Sequence, residues 1–182
     1  MDYNKAYELL YVMQQAYASL FLVSNKIQIA GDKYCKPFTS RQFMAMLAIL
    51  HINDGERSYN NIAQKLGTTK QNATQLIKIL QKNGYVNIEQ STKDKRSVNV
   101  TITEAGQEAL VKCSENGGIN LMADLFKDFT EEEIKVFWNL LKKLYSFDGT
   151  AMDGFEEKIG SEEITVQRVK DNLEKFSERR GK

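Results

Sequence analysis

Between Gly84 and Thr103 the apolar pattern of this 182-residue chain changes period, and no other feature restricts the fold as much. Before Gly84, apolar residues recur every three or four positions. Tyr85, Val86 and Ile88, then Val98, Val100 and Ile102, are β-branched or aromatic and mostly alternate, so they read as two strands. The residues between them, Ser91 to Ser97, are polar and form a hairpin tip. After the second strand the helical period returns. Thr103 caps a helix that begins with Glu104, where the helix dipole favours an acid. The expected fold is therefore mostly α, with one two-stranded β ribbon.

The helices before the ribbon are marked by caps and breaks. Tyr3 to about Ile29 carries apolar residues at 3, 7, 10, 17, 20, 21 and 27, one stripe along a long helix, and 31–37 reads as the first connection. Thr39 with Gln42 makes a capping box for a second helix with Phe43, Met46, Leu47 and Leu50 on one face, ending near Asn53-Asp54-Gly55. Ser58 caps a short third helix bearing Ile62 and Leu66 that stops at Gly67. Thr68 or Thr69 caps a fourth, which runs to Gly84. Helix, three-residue turn and helix is the helix-turn-helix arrangement.

Beyond Thr103 the stripe Ala109, Leu110, Cys113, Leu121, Leu125 and Phe126 continues a helix that Gly117-Gly118 is expected to weaken or kink. Thr130 with Glu133 opens another, carrying Ile134, Phe137, Trp138, Leu141, Leu144 and Tyr145. A charged tail with Phe155 and Ile159 follows. Ser161 is the expected cap of a last helix with Val166, Val169, Leu173 and Phe176 at heptad-like spacing.

Composition removes whole classes of function. One histidine and two cysteines make neither a His-based metal site nor a four-ligand zinc site, and no disulfide framework. No phosphate-cradling glycine loop or Ser/His/Asp set can be assembled, so no catalytic residue, cofactor or enzymatic activity is expected. His51 ends a helix, and Glu131-Glu132-Glu133 is a helix start. Cys113 falls on an apolar face and reads as packing, whereas Cys35 lies in a loop where a thiol could react. No apolar run approaches the roughly 18–20 residues of a membrane span, and the N-terminus lacks the order of a signal peptide, so a reducing cytoplasmic setting is expected. The net charge of +1 hides an asymmetry. From Glu56 to Thr103 eight bases face three acids, a net +5 that leaves −4 elsewhere. Such an excess is the footprint of a polyanion site, although a solvated lysine-rich surface gives the same count.

The fourth helix carries most of the information. At 100° per residue, Ala73, Leu76, Ile77 and Leu80 share an arc of about 100° and face a core. Opposite lie Gln71, Gln75, Lys78 and Lys82, flanked by Asn72 and Thr74. This face has no acid. Amides can pair with adenine N6 and N7 in a major groove, and lysines with phosphates. Lys70 and the open N–H groups of the first turn favour a phosphate as well. On the hairpin tip, Lys93, Lys95 and Arg96 suit a wing that reaches an adjacent minor groove, with Asp94 expected to hold Arg96 through a bidentate pair.

These residues also carry a resemblance. The stretch from Thr39 to Gly106 resembles the winged helix-turn-helix of MarR-family transcriptional regulators. The matching residues are Ile62-Ala63-Gln64-Lys65-Leu66, Leu80-Gln81-Lys82-Asn83-Gly84-Tyr85-Val86, Asp94-x-Arg96 and Ile102-Thr103-Glu104-x-Gly106. The resemblance implies a homodimer that binds a palindromic operator in double-stranded DNA, usually as a repressor and often released by a small-molecule effector or by cysteine oxidation. Oxidant sensors of that family place their cysteine near the start of the first helix, where this chain has none. It also implies a recognition helix from Thr69 to Lys78, contacting DNA through Thr69, Lys70, Gln71, Asn72, Thr74, Gln75 and Lys78. It places Asp94 and Arg96 at the wing, and with Lys93 and Lys95 from the hairpin tip the expected wing contacts are Lys93, Asp94, Lys95 and Arg96.

The expected division is a winged helix-turn-helix over 37–103, a helical dimerisation domain from 1–36 with 104–149, and a C-terminal helical extension over 150–182 without an assigned role. Three long apolar stripes exceed what a winged helix of roughly 65 residues can cover, which agrees with helices interlocking across a two-fold axis. Tyr7, Tyr11, Tyr17 and Trp138 either line an effector pocket or pack as core. The alternative function is a winged-helix protein–protein interaction module.

Overall fold

The computed structural model describes residues 2–150, 152, 154–156 and 166–181. The helices are α1 (Tyr3–Tyr34), α2 (Ser40–Leu50), α3 (Tyr59–Lys65) and α4 (Lys70–Lys82). An antiparallel pair, β1 (Val86–Gln90) and β2 (Val98–Ile102), follows, then α5 (Glu104–Cys113), α6 (Ile119–Leu125), α7 (Glu131–Lys142) and α8 (Val166–Arg180). The fold is mostly α with a two-stranded sheet, as the change of period indicates. The strands pair Val86 with Ile102, Ile88 with Val100 and Gln90 with Val98.

The helix starts follow the capping chemistry. Both capping boxes form, Thr39 with Gln42 and Thr130 with Glu133, and Ser58, Thr69 and Thr103 cap α3, α4 and α5. Each side-chain oxygen accepts a first-turn N–H that the helix itself leaves unpaired. Asp2 does the same for α1, bonding Lys5 N–H at 3.3 Å.

One core joins α2 to α5. Phe38, Met46, Ile49, Ile62, Ile77, Leu80, Val86 and Val100 are fully buried in it, with Ala45, Ala48 and Ala73 letting the helices close up. On α2 the buried set is Ala45, Met46, Ala48 and Ile49, while Phe43, Leu47 and Leu50 are half-buried. The helix is central and buries more than one stripe, so the expected face was too narrow.

One expectation about breaks needs correction. The first connection does not begin at Gly31, because α1 runs through it to Tyr34. A single helical glycine costs only about 1 kcal/mol, which surrounding packing offsets. At Gly117-Gly118 the α-helical ladder is interrupted, as the glycine pair leads one to expect. A π-helical turn over Ser114–Gly118 joins α5 to α6, and Gly117 lies so close to α1 that an added Cβ would sit 1.8 Å from the Tyr34 carbonyl oxygen. Glycine is there for close approach.

Large parts of the helical surface are uncovered. Tyr3, Tyr7, Leu10, Tyr17, Phe21 and Val23 on α1 are exposed, and α7 buries no residue, leaving Val136, Phe137, Trp138 and Leu140 open. The C-terminal end of α1 packs against α2, the π-turn and α6. The tail returns to the body. Phe155 packs against the core cluster, with its ring edge-on to His51 at 5.0 Å, and α8 lies on α6. The expected features at Ile159 and Ser161, and the side chains of Val166 and Val169, lie outside the described residues. Among the described residues no helix is long and apolar enough to cross a membrane.

Candidate nucleic-acid interface

The turn between α3 and α4 is made by Gly67, at φ 58°, a left-handed backbone that disfavours a side chain. Thr68 N–H reaches back to Ala63 C=O at 2.9 Å, and Thr69 opens α4 by accepting Asn72 N–H at 3.2 Å. Ala73, Ile77 and Leu80 then turn inward and are buried, with Leu76 half-buried beside them. That anchoring presents Lys70, Gln71, Asn72, Gln75, Lys78 and Lys82 to solvent. Three of the expected contact residues also have work inside the helix. Thr69 is the cap, Thr74 is half-buried with its hydroxyl donating to Lys70 C=O at 2.7 Å, and Asn72 Nδ2 donates to Thr68 Oγ1 at 3.3 Å.

The hairpin tip is built around a serine that the sequence did not single out. Ser91 is buried; its N–H donates to Ser97 C=O at 3.0 Å, and its Oγ accepts the N–H groups of Lys93 and Asp94. Gln90 Nε2 donates to Lys95 C=O at 2.6 Å. Asp94 does not form the expected bidentate pair. One oxygen, Oδ1, accepts Arg96 N–H at 2.9 Å and Arg96 Nε at 3.4 Å. The residues are two apart on a tight turn, so the carboxylate reaches the backbone before the guanidinium fork can align with it. Lys93 Nζ lies 3.5 Å from Glu56 Oε1, an exposed pair of small energetic weight.

Not every base in the segment contributes to an outer face. Lys65 is buried, its ammonium 5.7 Å from the Phe155 ring centre. Arg57 fastens the wing: its N–H donates to Asn99 Oδ1, its Nε to Ile52 C=O and its Nη1 to Asp54 Oδ1, while its C=O accepts Val100 N–H. Asn99, the Gly55 N–H and Arg57 together hold the Asp54 carboxyl below the usual carboxylate range. A charge count along the sequence cannot separate such fasteners from surface cations. At the far end, Thr103 Oγ1 donates to Gly84 C=O at 2.7 Å and Thr103 N–H to Tyr85 C=O, so the close of α4 and the start of α5 are tied at one corner.

The other candidates change character. Cys35 is at the C-cap of α1 and is as buried as Cys113, each 1% exposed, and the two thiols are near enough to influence each other. Burial raises both thiols, Cys113 to about 12. This corrects the reading of Cys35 as an open loop thiol. Tyr7, Tyr11 and Tyr17 are not core within this chain, and Trp138 is half open with Lys142 Nζ 4.0 Å from its ring centre.

Comparison with known proteins agrees with this geometry. The MarR family matches residues 37–97. The chain is 33% identical over 97 residues to YfiV, an uncharacterized HTH-type transcriptional regulator of Bacillus subtilis (strain 168). That alignment covers 53% of this chain and spans 60% of the relative's length. In fold it is similar to a cysteine-to-serine mutant of MarR from E. coli in complex with operator DNA. The TM-score is 0.65 at 23% identity, covering 75% of this chain and 97% of that one. It is also similar to the organohalide-sensing regulator RdhR-CbdbA1625 in its 2,4-dichlorophenol-bound form, with a TM-score of 0.69 at 13% identity, covering 81% of this chain and 90% of that one.

Proposed function

We propose that this chain, whose residues 37–97 match the MarR family, works as a homodimeric, sequence-specific repressor of a palindromic operator in the cytoplasm. The observation that carries the proposal is the acid-free outer face of α4. Ala73, Ile77 and Leu80 fix the helix by burial, which leaves Gln71, Gln75 and Lys78 exposed on it. A capped helix start with open N–H groups suits a phosphate, amides suit base edges, and lysines suit the flanking backbone. Thr69, Lys70, Asn72 and Thr74 complete this reading of the helix. Lys93, Lys95 and Arg96 supply a second contact at the minor groove, with Asp94 positioning Arg96.

The uncovered faces of α1 and α7 support the dimer. Apolar surface of that extent on separate helices is tolerated in water only when something covers it, and a second copy covers both faces at once. On this reading 1–36 and 104–149 form the dimerisation domain, and 37–103 the DNA-binding one. Two recognition helices would then lie about 34–36 Å apart, one turn of DNA.

Selection from random duplexes tests the proposal. The expected product is an inverted repeat with half-site centres about 10 base pairs apart, bound less tightly as salt rises. Failure to enrich any duplex at low salt overturns it and favours a protein-docking winged helix. A small-molecule effector is part of the same proposal, supported by the phenol-bound fold neighbour. A ligand panel screened by thermal shift should yield a compound that also weakens operator binding; none doing both would remove the effector.

A further inference from the structure

The corner between α6 and α7 is held by the end of the chain. Asp124, on α6, receives a two-pronged guanidinium: Arg179 Nε donates to Oδ1 at 2.7 Å and Nη2 to Oδ2 at 2.6 Å. Tyr34 Oη, from the last turn of α1, donates to the same Oδ2. One residue further, Arg180 Nη2 donates to two carbonyls at once, Phe126 at 3.0 Å and Phe129 at 2.6 Å. Those carbonyls belong to the C-cap of α6 and to the link that leads into α7. Phe126 and Phe129 meet edge-on at 5.7 Å, and the Arg180 guanidinium lies 5.7 Å from the Phe176 ring centre.

From this we propose that α8 is an intramolecular clamp that sets the direction of α7. The physical case has two parts. First, α7 buries no residue against the rest of the described chain, so its direction is set at its two ends, by the corner with α6 and by the segment after it, where Met152 N–H donates to Tyr145 C=O and Phe155 packs on the core. Second, an arginine bridging the terminal carbonyls of one helix and the link to the next fixes the turn angle between them. A guanidinium does this better than an ammonium because its donors are coplanar and rigidly spaced. The paired Arg179–Asp124–Tyr34 contacts lock α8 in register beside the corner and tie it to the end of α1. Thus both helices with uncovered apolar faces are referred to one point. The consequence for assembly rests on the proposed dimer: the clamp presets α1 and α7 so that a second copy meets a formed surface, not one it must organise.

The test uses the full chain and two readouts. Hydrogen exchange at the amides of 126–131 reads the corner whatever the oligomeric state. Sedimentation equilibrium reads the dimer constant. Arg180→Ala and Arg179→Ala should each speed exchange there by about tenfold and raise the dimer dissociation constant at least about fivefold, with helical circular dichroism unchanged. Reversing the charges, Asp124→Arg with Arg179→Asp, should bring the dissociation constant back within about threefold of wild type. Arg180→Lys keeps the charge without the fork and guards against a folding defect; it should fall between wild type and Arg180→Ala. Exchange within about twofold of wild type in both alanine variants overturns the clamp, and so does faster exchange with an unchanged dimer constant. A wild-type protein that stays monomeric at micromolar concentration defeats the dimer reading instead, while the exchange measurements still decide whether α8 holds the corner.

Discussion

Asp94 and Arg96 are joined twice through a single oxygen: Asp94 Oδ1 accepts both the backbone N–H and the Nε of Arg96, while the arginine side chain stays 92% exposed. The carboxylate fixes the base of Arg96 and leaves its guanidinium available. On a selected operator Arg96→Ala should cost about 1–3 kcal/mol of binding. Asp94→Ala should cost less, about 1 kcal/mol, through loss of the turn. Asp94→Asn should recover most of that, because an amide oxygen still accepts the N–H. Fluorescence anisotropy against one duplex checks all three, and thermal stability should barely move because the pair is exposed.

The two residue types on α4 should separate by salt. Lys78→Ala is expected to weaken cognate and scrambled duplexes alike and to lower the slope of log K against log salt by about 1. Gln75→Ala should weaken only the cognate duplex, by about 1–3 kcal/mol, with the slope unchanged. Titrations at four salt concentrations distinguish these outcomes; identical behaviour of the two variants would refute the division of roles.

Much of the fold was legible because its signals are local. Thr39, Ser58, Thr69, Thr103 and Thr130 sit at helix starts because a side-chain oxygen there satisfies an N–H, and this chemistry needs no tertiary context. The outer face of α4 was legible from spacing alone. What stayed hidden depends on partners distant in sequence. Arg57 and Lys65 look like surface cations until Asn99 and Phe155 are placed beside them. Cys35 looks like a loop thiol until Cys113 meets it. Asp124 has no neighbour in sequence that announces Arg179, 55 residues away.

Gly117 and Gly118 offer a matched pair of substitutions. An alanine Cβ at 117 would fall 1.8 Å from the Tyr34 carbonyl oxygen, whereas at 118 the nearest atom is 4.0 Å away and the backbone is already helical, at φ −61° and ψ −46°. Gly117→Ala should therefore destabilise by at least about 2 kcal/mol. Gly118→Ala should be neutral or stabilising by up to about 1 kcal/mol. Denaturant melts of both variants provide the measurement.

The thiols should be quiet in the native state. With Cys113 near 12 and Cys35 raised by burial, little thiolate exists at about pH 8. Alkylation of the folded protein should be slow at both positions and become fast in denaturant. Rapid native labelling of Cys35 would contradict its burial against Cys113.

Asp124 should titrate far below an ordinary carboxyl. The Arg179 and Tyr34 hydrogen bonds lower it from 3.8 to about 2. A depressed carboxyl stabilises the fold above its unfolded value, so docking of α8 is fully supported above 3.8 and fades as pH falls through about 2. Carboxyl-selective NMR should place the midpoint near 2 in the wild type and move it up toward 3.8 in Arg179→Ala. An unshifted midpoint would mean that the guanidinium is not there.

The open apolar sides of α1 and α7 tie foldedness to abundance. If a second copy covers them, every dilution of the protein also weakens each surviving molecule, since association and folding then draw on the same free energy. If the chain is the repressor proposed above, lowering its copy number would act twice, once by supply and again by breakdown of what remains, so repression would lift more sharply than the drop in synthesis alone dictates.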